Sequence, residues 1–242
     1  MNKIQYWKKK ILDMIYPARC PVCHDIIEPG YDMICAKCIP FLPVNQGNRC
    51  KKCGKPVKNE EDLCHDCVEW EHEYTQGAGI FLYDDIMRKS IHKFKYMGRR
   101  EYGRFYGTAA WKYERELLEK WAPEVLIPVP VHISRKTDRG YNQAEVFARA
   151  LAEKMGLPVA TDVVIRKKKT KAQKDLDPEE RRKNLEHAFT KGKNPLLWRR
   201  VLLIDDIYTT GSTADAVSRV LKECGAGEIY VLSICIGKGF VI

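Results

Sequence analysis

The chain has 242 residues, 45% of them hydrophobic and 31% charged, enough apolar material for one sizeable core or two smaller ones and too much for wholesale disorder. Lys and Arg number 42 against 32 Asp and Glu, a net charge of +10, and there are 10 cysteines. The charge excess points to a polyanionic partner such as nucleic acid, phosphates or an anionic membrane surface.

The first segment, 1–16, is amphipathic. Ile4, Trp7, Ile11, Leu12 and Ile15 recur at helical spacing, with Lys3, Lys8, Lys9 and Lys10 mostly elsewhere. It reads as a helix docked on the protein, with a membrane-surface or partner helix as the alternative. It has no apolar h-region and no small-residue cleavage site, so it is not expected to be a secretory signal. No run of about 18 apolar residues occurs, so no membrane-spanning segment is expected. The expected location is cytoplasmic, with partners able to hold the chain at the inner face of the membrane. Paired cysteines in that reducing setting more often bind metal than form disulfides.

Four Cys-x-x-Cys pairs follow within 17–74: Cys20 and Cys23, Cys35 and Cys38, Cys50 and Cys53, Cys64 and Cys67. They are separated by 11, 11 and 10 residues. A two-residue spacer lets both thiolates reach one tetrahedral ion, with Zn–S near ~2.3 Å. Eight thiolates suffice for two closed, structural Zn2+ sites with no position left for catalysis. Metal binding would supply folding free energy to a module that buries little. A redox dithiol explains one such pair but not four evenly spaced ones. Sequential pairing gives two ribbon-like sites, and interleaved pairing is the alternative.

Residues 1–76 hold 11 basic and 11 acidic residues, whereas 77–242 hold 31 and 21. The whole charge excess therefore belongs to the second part, which has only Cys224 and Cys235. In chain order, strands are predicted at Gly79–Tyr83, Val125–Val129, Val201–Ile204 and Ile229–Ile236. Helices are predicted at Met87–Tyr96, Tyr102–Trp121, Ala144–Met155 and Ser212–Cys224. This alternation predicts an α/β domain over 77–242 with a mostly parallel sheet flanked by helices.

The most informative run is Val201-Leu-Leu-Ile-Asp-Asp-Ile-Tyr-Thr-Thr-Gly-Ser-Thr213. A buried strand ends in two acids, a hydroxyl-rich loop follows, and a helix begins. Helix N-terminal N–H groups, the hydroxyls of Thr209, Thr210, Ser212 and Thr213, and the close backbone approach allowed by Gly211 suit a phosphate. Asp205 and Asp206 are acceptors suited to the vicinal hydroxyls of a ribose. The run is neither a Walker loop nor a dinucleotide fingerprint.

This run resembles the signature of type I phosphoribosyltransferases. That resemblance implies binding of 5-phosphoribosyl-1-diphosphate with Mg2+, the acids on the ribose hydroxyls and the loop on the 5′-phosphate. Leu126-Ile-Pro-Val-Pro130, Arg135 and Arg139-Gly-Tyr-Asn-Gln143 narrow the match. So do Thr170, Gln173, Leu176, Arg181, Asn184 and Ala188-Phe189. With four cysteine knuckles in front, residues 17–236 resemble the ComF family of late competence proteins. The resemblance implies a double zinc ribbon joined to a phosphoribosyltransferase-like domain. It also implies a role in DNA uptake during natural transformation, beside a competence helicase and recombination proteins.

His132, Arg135, Lys136 and Arg139 follow the first core strand in what reads as a loop and are candidates for the diphosphate. Cations alternate with aromatics over His92–Tyr106. Lys93, Lys95, Arg99, Arg100 and Arg104 are candidates for tracking single-stranded DNA, with Tyr96, Tyr102 or Phe105 stacking bases. The stretch 166–183 holds 9 basic and 4 acidic residues. Lys167, Lys168, Lys169 and Arg181 within it read as a basic flap able to gather a polyanion. Catalytic residues are not identifiable, since no general base and no nucleobase pocket stands out. The leading expectation is a competence protein binding 5-phosphoribosyl-1-diphosphate and single-stranded DNA. The alternatives are an active glycosyl-transferring enzyme with an unknown acceptor, and a non-enzymatic adaptor docking a helicase through its zinc ribbons.

Overall fold

The computed structural model describes residues 17–27, 33–58, 62–167, 185 and 187–238. The amphipathic segment 1–16, and Lys168, Lys169 and Arg181 of the basic stretch, lie outside the described residues. So do Thr170, Gln173, Leu176 and Asn184. Contacts divide the chain into two compact units, Met1–Leu42 and Pro43–Ile242. The first contains the first two cysteine pairs, a small core of Cys20, Ile27, Cys35 and Cys38, and a 3-10 helix at Ala36–Phe41. The second contains the other two pairs and the α/β domain.

Strands of the larger unit are β1 (Gln76–Leu82), β2 (Val125–Pro128), β3 (Val164–Arg166), β4 (Phe189–Lys191), β5 (Arg200–Tyr208) and β6 (Glu228–Ile236). Its helices are α1 (His65–Glu69), α2 (Asp85–Tyr96), α3 (Tyr102–Trp121), α4 (Ile133–Arg139), α5 (Gln143–Met155) and α6 (Ser212–Glu223). Four strands form one parallel sheet in the order β1-β6-β5-β2, and β3 pairs antiparallel with β4. Val201 to Ile204 of β5 are wholly buried, as expected of a strand covered on both faces. Val201 and Leu203 share an apolar cluster with Val217 and Leu221 of α6. Asp84 caps α2, its carboxylate accepting from the Met87 N–H at 2.9 Å.

Three sequence expectations change. The strand expected to end at Ile204 runs on through both acids to Tyr208, because β6 keeps pairing with it, Asp205 opposite Ser233 and Tyr208 opposite Ile236. The segment around 133–139, read as a loop, is helix α4, opened by His132, whose Nδ1 accepts from the Ser134 N–H at 3.2 Å. Tyr102 and Phe105, offered for base stacking, are core residues at 1% and 6% exposure. Their places on α3 turn them inward, where Phe105 stacks on Phe81 at 5.9 Å between centroids.

Candidate functional site

Because the sheet is parallel, the carboxyl ends of its strands lie along one edge, the side on which open α/β sheets bind ligands. Asp205 and Asp206 stand near that end of β5 and, as neighbours on a strand, point to opposite faces. The Asp205 carboxylate accepts from the Asp206 N–H at 2.8 Å. Burial, reinforced by the Asp206 charge, pushes the Asp205 carboxyl up to about 7, with Lys95 and Arg166 opposing. Asp206 accepts from Lys95 Nζ at 2.8 Å, and both side chains are largely buried. Lys95, read from sequence as a DNA contact, is therefore engaged with the acid pair.

After β5 the chain makes a short turn into α6. Thr209 is exposed, Thr210 and Thr213 are half-buried, and Ser212 is buried. The Thr210 and Ser212 hydroxyls hydrogen-bond at 2.8 Å. Gly211 is the residue capping α6 and adopts φ 82°, a left-handed conformation. A Cβ there would fall 2.6 Å from the His72 ring and 2.7 Å from the Tyr208 hydroxyl, so the position has room only for glycine. Having no side chain, Gly211 makes no cap bond to the first turn of α6. The strand, acids, hydroxyls and helix start are thus consecutive in space as in sequence.

Three of the four candidate diphosphate residues lie on α4, and the fourth, His132, caps it. Arg135 and Arg139 lie one turn apart and share a face, as do Lys136 and Arg139. Arg139 donates to Gln143 Oε1 and to the Tyr96 hydroxyl, each at 3.0 Å, and its guanidinium lies 4.7 Å from the Tyr96 ring centre. The following residues hold α4 in place. Tyr141 donates to the Phe94 carbonyl, and Asn142 both caps α5 and donates to the Val129 carbonyl at 3.0 Å.

The remaining candidates for DNA are spread more widely. Tyr96 is 55% exposed. Arg99 lies 3.5 Å from Glu101, Arg100 and Arg104 are exposed, and Lys93 is half-buried. Lys167 is exposed just beyond β3.

The structure decides the cysteine pairing as sequential. Cys20, Cys23, Cys35 and Cys38 form one cluster, and Cys50, Cys53, Cys64 and Cys67 another, with the sulfurs of each within 4.8 Å of one another. A tetrahedral ion with Zn–S near ~2.3 Å needs sulfurs about 3.8 Å apart. The Cys23–Cys35 and Cys53–Cys64 separations of 3.9 and 3.5 Å match that edge. Both sets of donors fit zinc. The knuckles also repeat each other. The His24 N–H donates to the Cys20 carbonyl and the Gly54 N–H to the Cys50 carbonyl, both at 2.9 Å. His24 and Gly54 are both left-handed, at φ 68° and 80°. The bridge of Arg19 with Ile26 recurs as Arg49 with Pro56. Cys224 is half-buried and Cys235 fully buried, and among the described residues neither joins a four-cysteine cluster.

Two groups near this edge were not among the candidate site residues: Arg166 counted only as the first cation of the basic stretch 166–183, and His72 had no signal at all. Arg166 of β3 stacks over Phe189 at 5.3 Å. Burial, then the charges of Arg135 and Arg139, lower its pKa to about 10, while Asp205 opposes. It joins the cations of α4 electrically to the acid pair. His72 is buried, its Nδ1 2.9 Å from an Asp215 oxygen, with Asp215 also accepting from the Glu73 N–H at 3.0 Å. A lone His has no motif around it, and the charge of the stretch does not single out Arg166. Only the fold brings each to its partners.

Comparisons with known proteins agree with this arrangement. A double zinc ribbon domain model matches residues 11–68, and a phosphoribosyl transferase domain model matches 142–238. Competence protein F of Haemophilus influenzae is 31% identical over 222 residues, 88% of this chain and 94% of that one. Competence protein ComFC of Bacillus subtilis is 28% identical, covering 83% of this chain and 82% of its own. DNA utilization protein YhgH of Escherichia coli K12 is 24% identical, covering 90% and 97%. The fold is accordingly α/β and phosphoribosyltransferase-like, accompanied by zinc-ribbon cysteine clusters. No helix among the described residues is long and apolar enough to cross a membrane. With its cysteine clusters, its acid pair and a relative that aligns nearly end to end, the chain belongs to the ComF family of competence proteins.

Proposed function

We propose that this protein binds 5-phosphoribosyl-1-diphosphate, or a related sugar phosphate, with Mg2+, and that it handles single-stranded DNA during DNA uptake in competence. One observation carries the reading: Asp205 and Asp206 stand near the carboxyl end of a parallel strand that leads, through Ile207 and Tyr208, into a hydroxyl-rich turn and the start of α6. The acids supply acceptors suited to ribose hydroxyls, and the helix N-terminal N–H groups supply donors suited to a phosphate. His132, Arg135, Lys136 and Arg139 then supply positive charge for the diphosphate, with Arg166 adding to it. Mg2+, when bound with the ligand, offsets the remaining phosphate charge. The names of the relatives supply the DNA pathway, and the net charge of +10 supplies the attraction for a single strand. The cysteine clusters hold structural zinc and leave no open coordination position for chemistry.

Calorimetry with 5-phosphoribosyl-1-diphosphate and Mg2+, with and without a short single strand, tests both ligands together. Saturable binding of each is expected, and Asp205→Ala with Asp206→Ala should abolish sugar-phosphate binding. No heat from the wild-type protein with the sugar phosphate would sink the reading of the loop. Assay of diphosphate release in the same samples reports turnover.

A further inference from the structure

The second cysteine cluster lies within the same compact unit as the sugar-phosphate loop, and a continuous set of contacts joins them. Cys50, Cys53, Cys64 and Cys67 are buried in one apolar cluster with Tyr74, Tyr208, Ala214 and Val217. The third knuckle grips β1 and the segment before it. The Gly77 N–H donates to the Lys52 carbonyl at 2.7 Å, and Lys52 Nζ donates to the Tyr74 carbonyl. A Cβ at Gly54 would lie 2.7 Å from the Gly77 carbonyl oxygen, so the knuckle and strand touch backbone to backbone. Lys55, ion-paired with Asp66 between the two knuckles, stands over the Tyr208 ring at 5.8 Å.

From there the contacts reach the loop. The Tyr74 and Tyr208 hydroxyls hydrogen-bond at 2.6 Å, deep in the protein. His72 stacks on Tyr74 at 5.0 Å and pairs with Asp215 in the first turn of α6. The ring of His72 and the hydroxyl of Tyr208 both press on Gly211. His72 Nε2 is buried without a hydrogen-bond partner among the described residues, so the proton belongs on Nδ1, where it is donated to Asp215. Asp215 is thereby turned to the His72 side, where its oxygens accept from His72 Nδ1 and from the Glu73 N–H.

We propose that the second four-cysteine cluster is the support of the sugar-phosphate loop, and that His72, Tyr74 and Tyr208 are positioning residues carrying that support to Gly211. This rests on reading Thr209–Thr213 as the phosphate loop. A phosphate held by backbone N–H groups gains most when those groups are already fixed, since ordering them on binding costs affinity. A metal in the second cluster fixes the knuckles, the knuckles fix Tyr74, and Tyr74 with His72 fixes the turn.

The test combines amide hydrogen exchange with calorimetry on the full chain. The variants are Tyr208→Phe, His72→Gln and Cys53→Ser, and the probe is 5-phosphoribosyl-1-diphosphate with Mg2+. Tyr208→Phe and His72→Gln should each keep the wild-type zinc content, speed exchange at Gly211–Asp215, and weaken the sugar phosphate about tenfold. Exchange in β2 and β6 should stay as in the wild type, which general destabilisation would not allow. Cys53→Ser should lose one zinc and show faster loop exchange. If that variant fails to fold, the two others decide. Unchanged loop exchange in both would overturn the proposal. Should the wild type bind no sugar phosphate, the reading of the loop fails, while exchange at Gly211–Asp215 still decides whether the cluster supports it.

Discussion

Lys95 Nζ and Asp206 Oδ1 lie 2.8 Å apart, joining the last turn of α2 to the acid pair of β5. Both side chains are largely withdrawn from water, at 16% and 17% exposure, so neither is readily replaced by solvent. Lys95→Ala should therefore destabilise the fold by about 1–3 kcal/mol in chemical denaturation, the cost of a largely buried charge left unpaired. It should also weaken sugar-phosphate binding, because Lys95 would no longer offset the negative charge of the acid pair beside a phosphate-bearing ligand. A variant that loses DNA affinity alone, with stability and sugar-phosphate affinity intact, would return Lys95 to the DNA surface.

Asp205 gives a pH dependence of definite sign. Its carboxyl ordinarily titrates at 3.8 and in the fold is pushed up to about 7, so the native state binds the proton more tightly than the unfolded chain. The associated stabilisation is complete below the unfolded value and is lost as pH rises through about 7. Asp205→Asn, which cannot ionise, should melt above the wild type at pH 8 and close to it at pH 4. The difference at pH 8 should be on the order of a few kcal/mol. Sugar-phosphate affinity should move the other way in the wild type, rising from pH 6 to 8 as the Asp205 carboxylate forms and becomes a full acceptor for the ribose. Flat affinity across that range would remove Asp205 from the ribose contact.

Arg49, just before the third knuckle, donates to Glu114 of α3 at 2.6 Å, and Glu114 is 2% exposed. Removing Arg49 strands a buried carboxylate. Arg49→Ala should cost about 3–5 kcal/mol at pH 8. Burial already raises the Glu114 pKa. Protonation should therefore relieve part of the loss at pH 5, and Glu114→Gln in the Arg49→Ala background should restore part of it at pH 8. Equal losses at both pH values would mean that lost packing, not the charge, sets the cost.

Two closed four-thiolate sites predict about two zinc ions per chain by elemental analysis. Chelation under reducing conditions should remove both and lower the melting temperature. One ion per chain would leave one of the two clusters without a metal.

Tyr96 is the exposed aromatic of the basic stretch that carries a guanidinium on its ring. Tyr96→Ala should cost about 1–3 kcal/mol of single-strand affinity, the usual worth of one stacked base. Tyr96→Phe should keep most of it, since the ring remains. Arg99→Glu with Arg100→Glu should instead flatten the salt dependence of binding. Wild-type affinity in Tyr96→Ala would show that no base stacks there.

Much of the fold was legible from local patterns. α3 spans Tyr102–Trp121 as its periodicity predicts, and the other long helices and four sheet strands differ only at their ends. The cysteine spacing and the acid-hydroxyl run were equally visible, because each is a short stretch whose residues act on neighbours in sequence. The three-residue strands β3 and β4 and the short helix α4 were not, since so few residues carry no readable period.

The sequence by itself determined that thiolates come in pairs, that an α/β domain carries the charge, and that acids precede a phosphate-like turn. Only the tertiary structure decided which knuckles pair, and that Lys95 faces Asp206 instead of solvent. It also brought His72 and Asp215, 143 positions apart, to the loop together. Spacing constrains what lies within one turn or knuckle. Contacts between distant segments depend on how helices and strands pack, and no local pattern encodes that.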